Sequence, residues 1–178
     1  FTLSPVALII ILGYSLTKRF TSLSHFVLGL ALAIAPVGAW IAVTGSIAFA
    51  PLVLCAAVLL WTAGFDIIYS LQDIAFDKKQ KLFSLPQSLG AADALLISRA
   101  CHIIVVLLLI AFGNIANLGT LYYAGVVVIA GCLIYEHRLV SPRDFSRINA
   151  AFFTMNGIVS LSFFAFTLAD ILARKIFI

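Results

Sequence analysis

The sequence predicts an all-α protein, a polytopic bundle of transmembrane helices that forms one domain over residues 1–178. Of its 178 residues, 63% are hydrophobic and only 10% are charged, and the mean hydropathy is +1.18. Soluble domains carry charge on about one quarter of their residues, so these values exclude an ordinary water-soluble domain. Helices satisfy their own backbone hydrogen bonds in lipid, and the polar–apolar alternation of a β-barrel is absent from the sequence.

Six apolar segments are long enough, or nearly so, to cross a bilayer, which takes about 20 residues per helix. The loops between them alternate between uncharged loops, such as 44–48 and 113–119, and loops that carry lysine or arginine. Because positively charged loops stay on the cytoplasmic side, we expect the basic loops to face the cytoplasm. The predicted spans are approximately 2–17, 25–43, 49–70, 92–112, 120–136 and 149–172.

The charge and the cysteines are consistent with this membrane assignment. The net charge of +4 comes mainly from basic residues in short loops, a placement that suits orientation in a bilayer better than binding of nucleic acid. The chain begins at Phe1 inside an apolar segment, without the basic region of a signal peptide. We therefore expect it to be part of a longer protein. The three cysteines have no metal-binding or redox spacing and are interpreted as packing residues: Cys55, Cys101 and Cys132.

The first predicted span ends with a polar cluster that includes Tyr14 and Lys18. These two residues are four positions apart and share one helical face, so a phenol and an ammonium group would approach the same ligand. A lysine at a helix end also reaches the lipid headgroups without any further function, and this alternative stays open.

The second predicted span contains a proline and two glycines that affect its packing. Pro36 predicts a kink, and Gly29 and Gly38 predict close contact with a neighbouring helix. His25, at the start of this span, and Trp40 are interpreted as packing or lipid-facing residues.

The third predicted span is uncharged from Phe49 to Phe65 and ends in an acidic stripe. Carboxylates at membrane depth cost about 2.5–3.5 kcal/mol each, so a function is expected for them. On a regular helix the stripe follows one face, and its members are Asp66, Tyr69, Asp73 and Asp77.

Asp73 and Asp77 lie one helical turn apart, so one metal ion or its waters can bridge the two carboxylates. Mg²⁺ typically takes one or two carboxylates together with phosphate oxygens of a substrate. Asp66 lies about 16 Å from Asp77 along the helix axis, too far to share that ion. The pattern therefore predicts a magnesium–diphosphate site, while a helix end decorated with charges for solubility remains the alternative.

The loop after this stripe and the fourth span add further candidates. The lysines at 78, 79 and 81 could attract a diphosphate, but the topology of the chain explains all three without such a function and is the favoured interpretation. Ser84 could donate to a phosphate group or hold a turn. Arg99 and His102 lie inside the fourth span, and Arg99 faces either the bundle interior or the cytoplasmic headgroups.

Two of these motifs resemble those of a known family. Asp66-x-x-Tyr69-x-x-Gln72-Asp73-x-x-x-Asp77 resembles the second aspartate-rich motif of the UbiA superfamily of intramembrane aromatic prenyltransferases, and Tyr14-x-x-x-Lys18 resembles its YxxxK motif. Segments at 17–21, 35–40, 135–138 and 149–157 are similar to bacterial 4-hydroxybenzoate polyprenyltransferases, nearest to the menaquinone-pathway branch. The resemblance covers essentially the whole chain.

The resemblance implies a nine-helix bundle in the bacterial inner membrane, with a central cavity open to the cytoplasm and to lipid. It implies transfer of a polyprenyl group from polyprenyl diphosphate to an aromatic acid such as 4-hydroxybenzoate, in quinone biosynthesis. In that enzyme Asp73 and Asp77 would hold Mg²⁺ on the diphosphate and Asp66 would add charge or orient the site. Lys18 would contact the diphosphate and Tyr14 would face the reacting allylic carbon. Further substrate-binding residues are expected at Tyr69, Gln72, Ser84 and Arg99.

The sequence departs from the family pattern in two places. The first aspartate-rich motif of the family is absent, so we expect an N-terminally truncated domain that is inactive alone. The family commonly has glycine where this chain has Lys81, which puts the turn at that position in question.

The residues themselves leave a transporter or ion pathway as the alternative function, since intramembrane charges also mark ion pathways. A transporter predicts charges across the membrane depth, whereas these cluster at one face. The DG-x-x-AR signature of CDP-alcohol phosphotransferases is absent from the sequence.

Overall fold

In the computed structural model, which describes residues 4–176, the chain is built from helices, and these residues contain no β-strand. The all-α prediction is confirmed. Eight α-helices are accompanied by one 3₁₀ segment and one π-helical segment within the described range. In chain order they are α1 (Ser4–Thr17), α2 (Ser24–Thr44), α3 (Phe49–Tyr69), the 3₁₀ segment (Ser70–Asp73), α4 (Ile74–Gln80), α5 (Leu85–Leu89), α6 (Ala91–Ile115), α7 (Thr120–Leu139), the π-helical segment (Ala150–Met155) and α8 (Asn156–Ile176).

Five helical stretches among the described residues are long and apolar enough to cross a membrane. They match the second to the sixth predicted spans, which are thereby confirmed. The first predicted span, 2–17, begins outside the described residues. Its described part, α1, has 14 residues, fewer than the approximately 20 that a crossing takes. The chain is therefore a polytopic integral membrane protein.

The third span is longer than predicted, because α3 continues through the 3₁₀ segment into α4. One helical stretch therefore runs from Phe49 to Gln80. A 3₁₀ turn takes about three residues, whereas an α-helical turn takes about 3.6, so the face of the helix rotates between α3 and α4. The regular helical face predicted for the acidic stripe is interrupted at this point.

Lys81, where the sequence departs from the expected glycine, lies in the turn after α4. The φ angle of Lys81 is 55°, in the left-handed region. Glycine adopts this conformation without steric cost, whereas other residues seldom do. The glycine that the resemblance leads us to expect at this position would therefore suit the turn. The chain then passes the end of α1, where the Phe83 N–H donates to the Lys18 carbonyl at 2.7 Å.

The long helices pack beside their neighbours in the chain, in the order α1, α2, α3, α6, α7 and α8. At Gly29 a Cβ atom would collide with the backbone carbonyl of Leu59, so α2 and α3 are in close contact there. The prediction for Gly29 is confirmed. The close contact predicted at Gly38 is not found among the described residues, since no atom outside its chain neighbours and the adjoining backbone of α2 lies within 4 Å of the position that a Cβ would take.

At the end of the bundle where α6 ends and α7 begins, Asp170 connects α8 to the start of α7 through hydrogen bonds. Its carboxylate accepts hydrogen bonds from the backbone N–H groups of Gly119, at 2.6 Å, and Tyr122, at 3.4 Å. The first N–H groups of a helix lack partners within that helix, so Asp170 caps α7 from a neighbouring helix. Arg174, one turn further along α8, donates to the Asn117 carbonyl in the same loop.

We expect the Asp170→Ala variant to lose about 1–2 kcal/mol of stability, the usual cost of removing a capping side chain. Asp170→Asn keeps one acceptor oxygen and should lose less. The thermal unfolding midpoint in detergent micelles measures the effect. Equal midpoints for the wild-type protein and Asp170→Ala would contradict the capping role.

Candidate active site

Lys18 lies directly after α1, at the end of the bundle where α3 ends and α6 begins. The Thr17 hydroxyl donates to the Tyr14 carbonyl at 2.5 Å, which closes the last turn of α1. The Phe83 N–H donates to the Lys18 carbonyl from the loop after α4. These two contacts fix the backbone around Lys18, and its side chain reaches the segment that follows α3.

The Lys18 ammonium lies beside two carboxylates. Its Nζ is 3.9 Å from Asp73 Oδ2 and 3.5 Å from Asp77 Oδ2. Asp73 ends the 3₁₀ segment and Asp77 lies in the first turn of α4, so the carboxylates are one turn apart. The Asp77 side chain is 2% exposed and that of Asp73 is 41% exposed. The site therefore has a buried inner carboxylate and an open outer one.

The donor set of this aspartate pair fits a hard divalent cation. Asp77 Oδ2 is buried and has no hydrogen-bond partner among residues 4–176, although Lys18 balances its charge. A buried carboxylate oxygen without a hydrogen bond is costly, and a metal ion or its water would satisfy it. Two carboxylates are the number that Mg²⁺ commonly takes beside substrate phosphates.

Asp66 does not complete a three-carboxylate metal site with this pair. In the part of the chain that the structure describes, no three His, Cys, Asp or Glu residues are grouped to hold a metal ion. Asp66 lies in α3, before the 3₁₀ segment, and its Oδ2 is instead 2.6 Å from His25 Nδ1. This contact leaves Asp66 beside His25 and apart from the aspartate pair, and a part for Asp66 in metal binding stays a prediction.

His25 is a site residue that the sequence analysis missed. Its ring is fully buried, and its Nε2 lies 3.3 Å from the backbone nitrogen of Leu85. The Leu85 N–H can only donate, so Nε2 is the acceptor and the ring proton is on Nδ1. That proton points to Asp66 Oδ2. The ring thus joins α2, α3 and α5, and fixes one carboxylate oxygen of Asp66.

A small cavity lies beside Lys18 and Asp66, and residues of both predicted motifs, the Tyr14–Lys18 motif and the aspartate-rich motif, line it. Its volume is about 170 Å³, and it is lined by residues from the end of α1, the start of α2 and the end of α3. Tyr14, Lys18 and Asp66 all contribute to its wall. A phenol, an ammonium and a carboxylate therefore face one space, next to the aspartate pair.

Three other predicted residues lie outside the wall of this cavity. The Tyr69 ring packs on Phe152 with a centroid separation of 4.2 Å, and Gln72 is exposed. Ser84 is fully buried, and its hydroxyl accepts a hydrogen bond from the Gln87 N–H at 3.3 Å. Ser84 thus caps α5, which is the turn role considered for it, and a contact with phosphate stays a prediction.

Arg99 and His102 also lie away from the small cavity. Both line a separate cleft between α6 and α7. Arg99 is exposed there, whereas His102 is 3% exposed and its Nδ1 is 3.0 Å from Nε2 of His137. Arg99 thus faces the cleft, apart from Tyr14 and Lys18, and its role in substrate binding stays a prediction.

An apolar cavity of about 290 Å³ lies within the bundle. Side chains from five helices line it, and its walls are almost entirely hydrocarbon. The contributing residues include Pro36 of α2, Trp61 of α3, Leu109 of α6, Ile129 of α7 and Phe163 of α8. This cavity can hold part of an apolar chain, whereas the charged site can hold an anionic group.

The fold and the site define an integral membrane protein with a charged, cation-compatible site at one end of a helix bundle. Residues 1–158 match the family model described as the UbiA prenyltransferase family. The chain belongs to this family.

Individual relatives and a solved structure agree with this assignment. The chain is 32% identical over 172 residues to a 4-hydroxybenzoate octaprenyltransferase of Nitrosospira multiformis, covering 97% of this chain and 59% of that protein. A protein of the same name from Marinobacter nauticus is 32% identical over 80% of this chain and 48% of its own length. The apo structure of a UbiA homolog from Aeropyrum pernix K1 superposes with a TM-score of 0.85 at 32% identity, covering 96% of this chain and 63% of that one. The chain thus spans about three fifths of the Nitrosospira protein.

Proposed function

We propose that the protein transfers a polyprenyl group from polyprenyl diphosphate to an aromatic acid such as 4-hydroxybenzoate, in quinone biosynthesis. One observation supports this most strongly: the Lys18 ammonium and the Asp73–Asp77 pair stand beside a cavity lined by Tyr14 and Asp66. Family membership and the activity named for the relatives agree with the proposal.

In this proposal Lys18 and the aspartate pair bind the diphosphate together. Asp73 and Asp77 would hold Mg²⁺, which when bound neutralises the negative charge on the leaving diphosphate. Lys18, freed from the carboxylates, would donate hydrogen bonds to the diphosphate oxygens. The exposed side chain of Asp73 would contact the metal from the solvent side of the site. The buried side chain of Asp77 would contact it from the protein interior.

Tyr14 and Asp66 would act on the prenyl carbon, the atom from which the diphosphate oxygen departs. Loss of diphosphate leaves an allylic cation, and the face of a phenol ring stabilises a cation. The Asp66 carboxylate, fixed by His25, adds a negative charge that faces the same cavity. The acceptor ring attacks the cation, and loss of a ring proton restores aromaticity.

The apolar cavity would hold part of the prenyl chain. Its walls offer hydrocarbon from five helices, and a prenyl chain that fills this cavity would exclude water from it. Water is the competing nucleophile, since its attack would give a free prenyl alcohol. We propose a bacterial inner membrane location with the charged site on the cytoplasmic side, as the basic loops indicate.

The 178-residue chain is proposed to be inactive alone, because its described residues offer a single aspartate pair for the metal and diphosphate. The test therefore uses a chimera in which this chain replaces the matching segment of one of the relatives. Membranes that contain the chimera are given octaprenyl diphosphate and 4-hydroxybenzoate, and the prenylated acid is quantified by mass spectrometry.

We expect product with Mg²⁺, loss of product when the metal is chelated with EDTA, and recovery when Mg²⁺ is added back. Product formation that is unaffected by chelation would remove the metal from the proposal. A chimera that forms no product but carries an ion flux in proteoliposomes would favour the transporter alternative instead. Full-rate product formation by the chain alone would contradict its proposed inactivity.

A further inference from the structure

The cleft between α6 and α7 is a second charged feature that the proposed reaction does not use. It has a volume of about 500 Å³ and is separate from both cavities described above. Its polar lining residues are Arg99, His102, His137 and Arg138. The remainder of its wall is hydrocarbon: Ile103, Val106, Leu107, Ala130, Leu133 and Ile134.

The antiparallel helices place both arginines at the membrane surface. His102 of α6 contacts His137 of α7, so residues before His102 are level with residues after His137. Arg99 lies about 4.5 Å further toward the start of α6, level with the end of α7, where Arg138 lies in the last turn. This is the same end of the bundle as Lys18 and Asp77.

Neither arginine has an acidic partner, since no ion pair of Arg99 or Arg138 occurs among residues 4–176. Glu136 is the acidic group near this cluster. It is fully buried, with its Oε2 3.8 Å from His102 Nδ1, and it does not line the cleft. Two exposed cations without a counter-ion, at the surface of a membrane protein, leave room for an anionic ligand.

The rings of His102 and His137 lie between the two arginines and the hydrocarbon part of the cleft wall, and hydrogen bonds hold them in place. His102 Nε2 lies 3.4 Å from the Trp61 carbonyl, to which it can only donate, so its Nδ1 accepts from Nε2 of His137. This chain of contacts holds both rings in place. Below them the wall is open, since Ile103, Leu107 and Ile134 are 58–63% exposed.

We propose that this cleft binds one anionic phospholipid of the surrounding leaflet. Arg99 and Arg138 hold the phosphate of the headgroup, and the acyl chains lie along the exposed Ile103, Leu107 and Ile134. The cleft thus has a cationic upper part at headgroup level and an apolar lower part at acyl-chain level, the same polarity profile as the lipid. Basic pockets between transmembrane helices at the membrane surface recognise anionic headgroups in this way.

Native mass spectrometry of the delipidated chain, titrated with phosphatidylglycerol or with phosphatidylcholine, tests the proposal. We expect one tightly bound phosphatidylglycerol and no comparable site for phosphatidylcholine. The double variant Arg99→Gln/Arg138→Gln should weaken phosphatidylglycerol binding about 30-fold, since each arginine near a headgroup contributes about fivefold. The matched control Arg143→Gln/Arg147→Gln removes the same charge from the adjacent exposed loop and should leave the tight site intact.

A second variant distinguishes binding in the cleft from a general attraction of anionic lipid to positive charge. Ala130→Phe fills the cleft while it keeps every charge, so it should also expel the lipid. Equal weakening by the double variant and by the loop control would overturn the proposal. So would retention of the lipid in Ala130→Phe, equal binding of both lipids, or a cross-link through Ile103→Cys that joins two copies of the chain across the cleft.

Discussion

The Asp77→Asn variant of the chimera is expected to lose at least about 1000-fold in kcat/KM for prenyl transfer. Asparagine keeps the size of the side chain but removes the buried charge that faces Lys18 at 3.5 Å. Loss of a metal-held carboxylate removes several kcal/mol of charge stabilisation, and each 1.36 kcal/mol is about tenfold in rate. Product formation at saturating and limiting polyprenyl diphosphate measures kcat and KM separately.

Asp93→Asn is the matched control, because Asp93 is exposed in the first turn of α6 and undergoes the same chemical change. It should leave the rate within about twofold of the wild-type chimera, as surface substitutions usually do. If Asp77→Asn retained a comparable rate, the buried carboxylate would have no part in diphosphate binding. The thermal midpoint of each variant shows whether an effect arises from unfolding.

The His25→Leu variant is expected to lower kcat about 10- to 100-fold, the usual effect of removing a side chain that orients a functional group. Leucine leaves Asp66 without its 2.6 Å partner and leaves the buried Leu85 N–H unsatisfied. An unsatisfied buried donor costs about 1–3 kcal/mol, so we also expect a lower thermal midpoint.

His25→Gln separates positioning from folding. A glutamine amide can donate to Asp66 through its nitrogen and accept from the Leu85 N–H through its oxygen, as the neutral imidazole does. We therefore expect it to recover most of kcat, with KM for the acceptor little changed. Equal losses of kcat in His25→Leu and His25→Gln, at equal thermal midpoints, would show that the hydrogen bond to Asp66 is not what His25 contributes to kcat.

The long helices were predictable because a bilayer imposes a length and a composition on any segment that crosses it. Ala91–Ile115 and Thr120–Leu139 begin within one residue of their predicted starts, and both end three residues later than predicted. Irregular helices were not predictable. The 3₁₀ segment and the π-helical segment lie where helices from distant parts of the chain meet, since the Tyr69 ring, directly before the first, packs on Phe152 of the second.

The charged part of the site was partly predictable, since the carboxylates and Lys18 all follow apolar segments that end at the same side of the membrane. His25 was not recognised, because a single histidine at the start of an apolar helix usually serves packing. Its partner Asp66 is 41 positions away in the chain. The available signal was positional: both residues lie near the same membrane surface, where a partly buried carboxylate favours a nearby donor.

Ser84 and Arg99 show where reasoning from the residues alone reaches its limit. Both residue types bind phosphate, but Ser84 occupies the capping position of α5 and Arg99 lies on the face of α6 that borders the cleft. Helical periodicity does not determine which neighbour a face will meet. That choice depends on how α6 is rotated by its packing against α3.

The positions of the metal and the diphosphate can be measured most directly by anomalous diffraction. Crystals of the chimera would be grown with Mn²⁺ and a non-hydrolysable polyprenyl thiodiphosphate. We predict a manganese peak about 2.0–2.3 Å from carboxylate oxygens of both Asp73 and Asp77. A diphosphate oxygen should lie about 2.7–3.2 Å from Lys18 Nζ. A peak remote from both carboxylates, with Lys18 still paired to Asp77, would contradict the assignment of this site to the diphosphate.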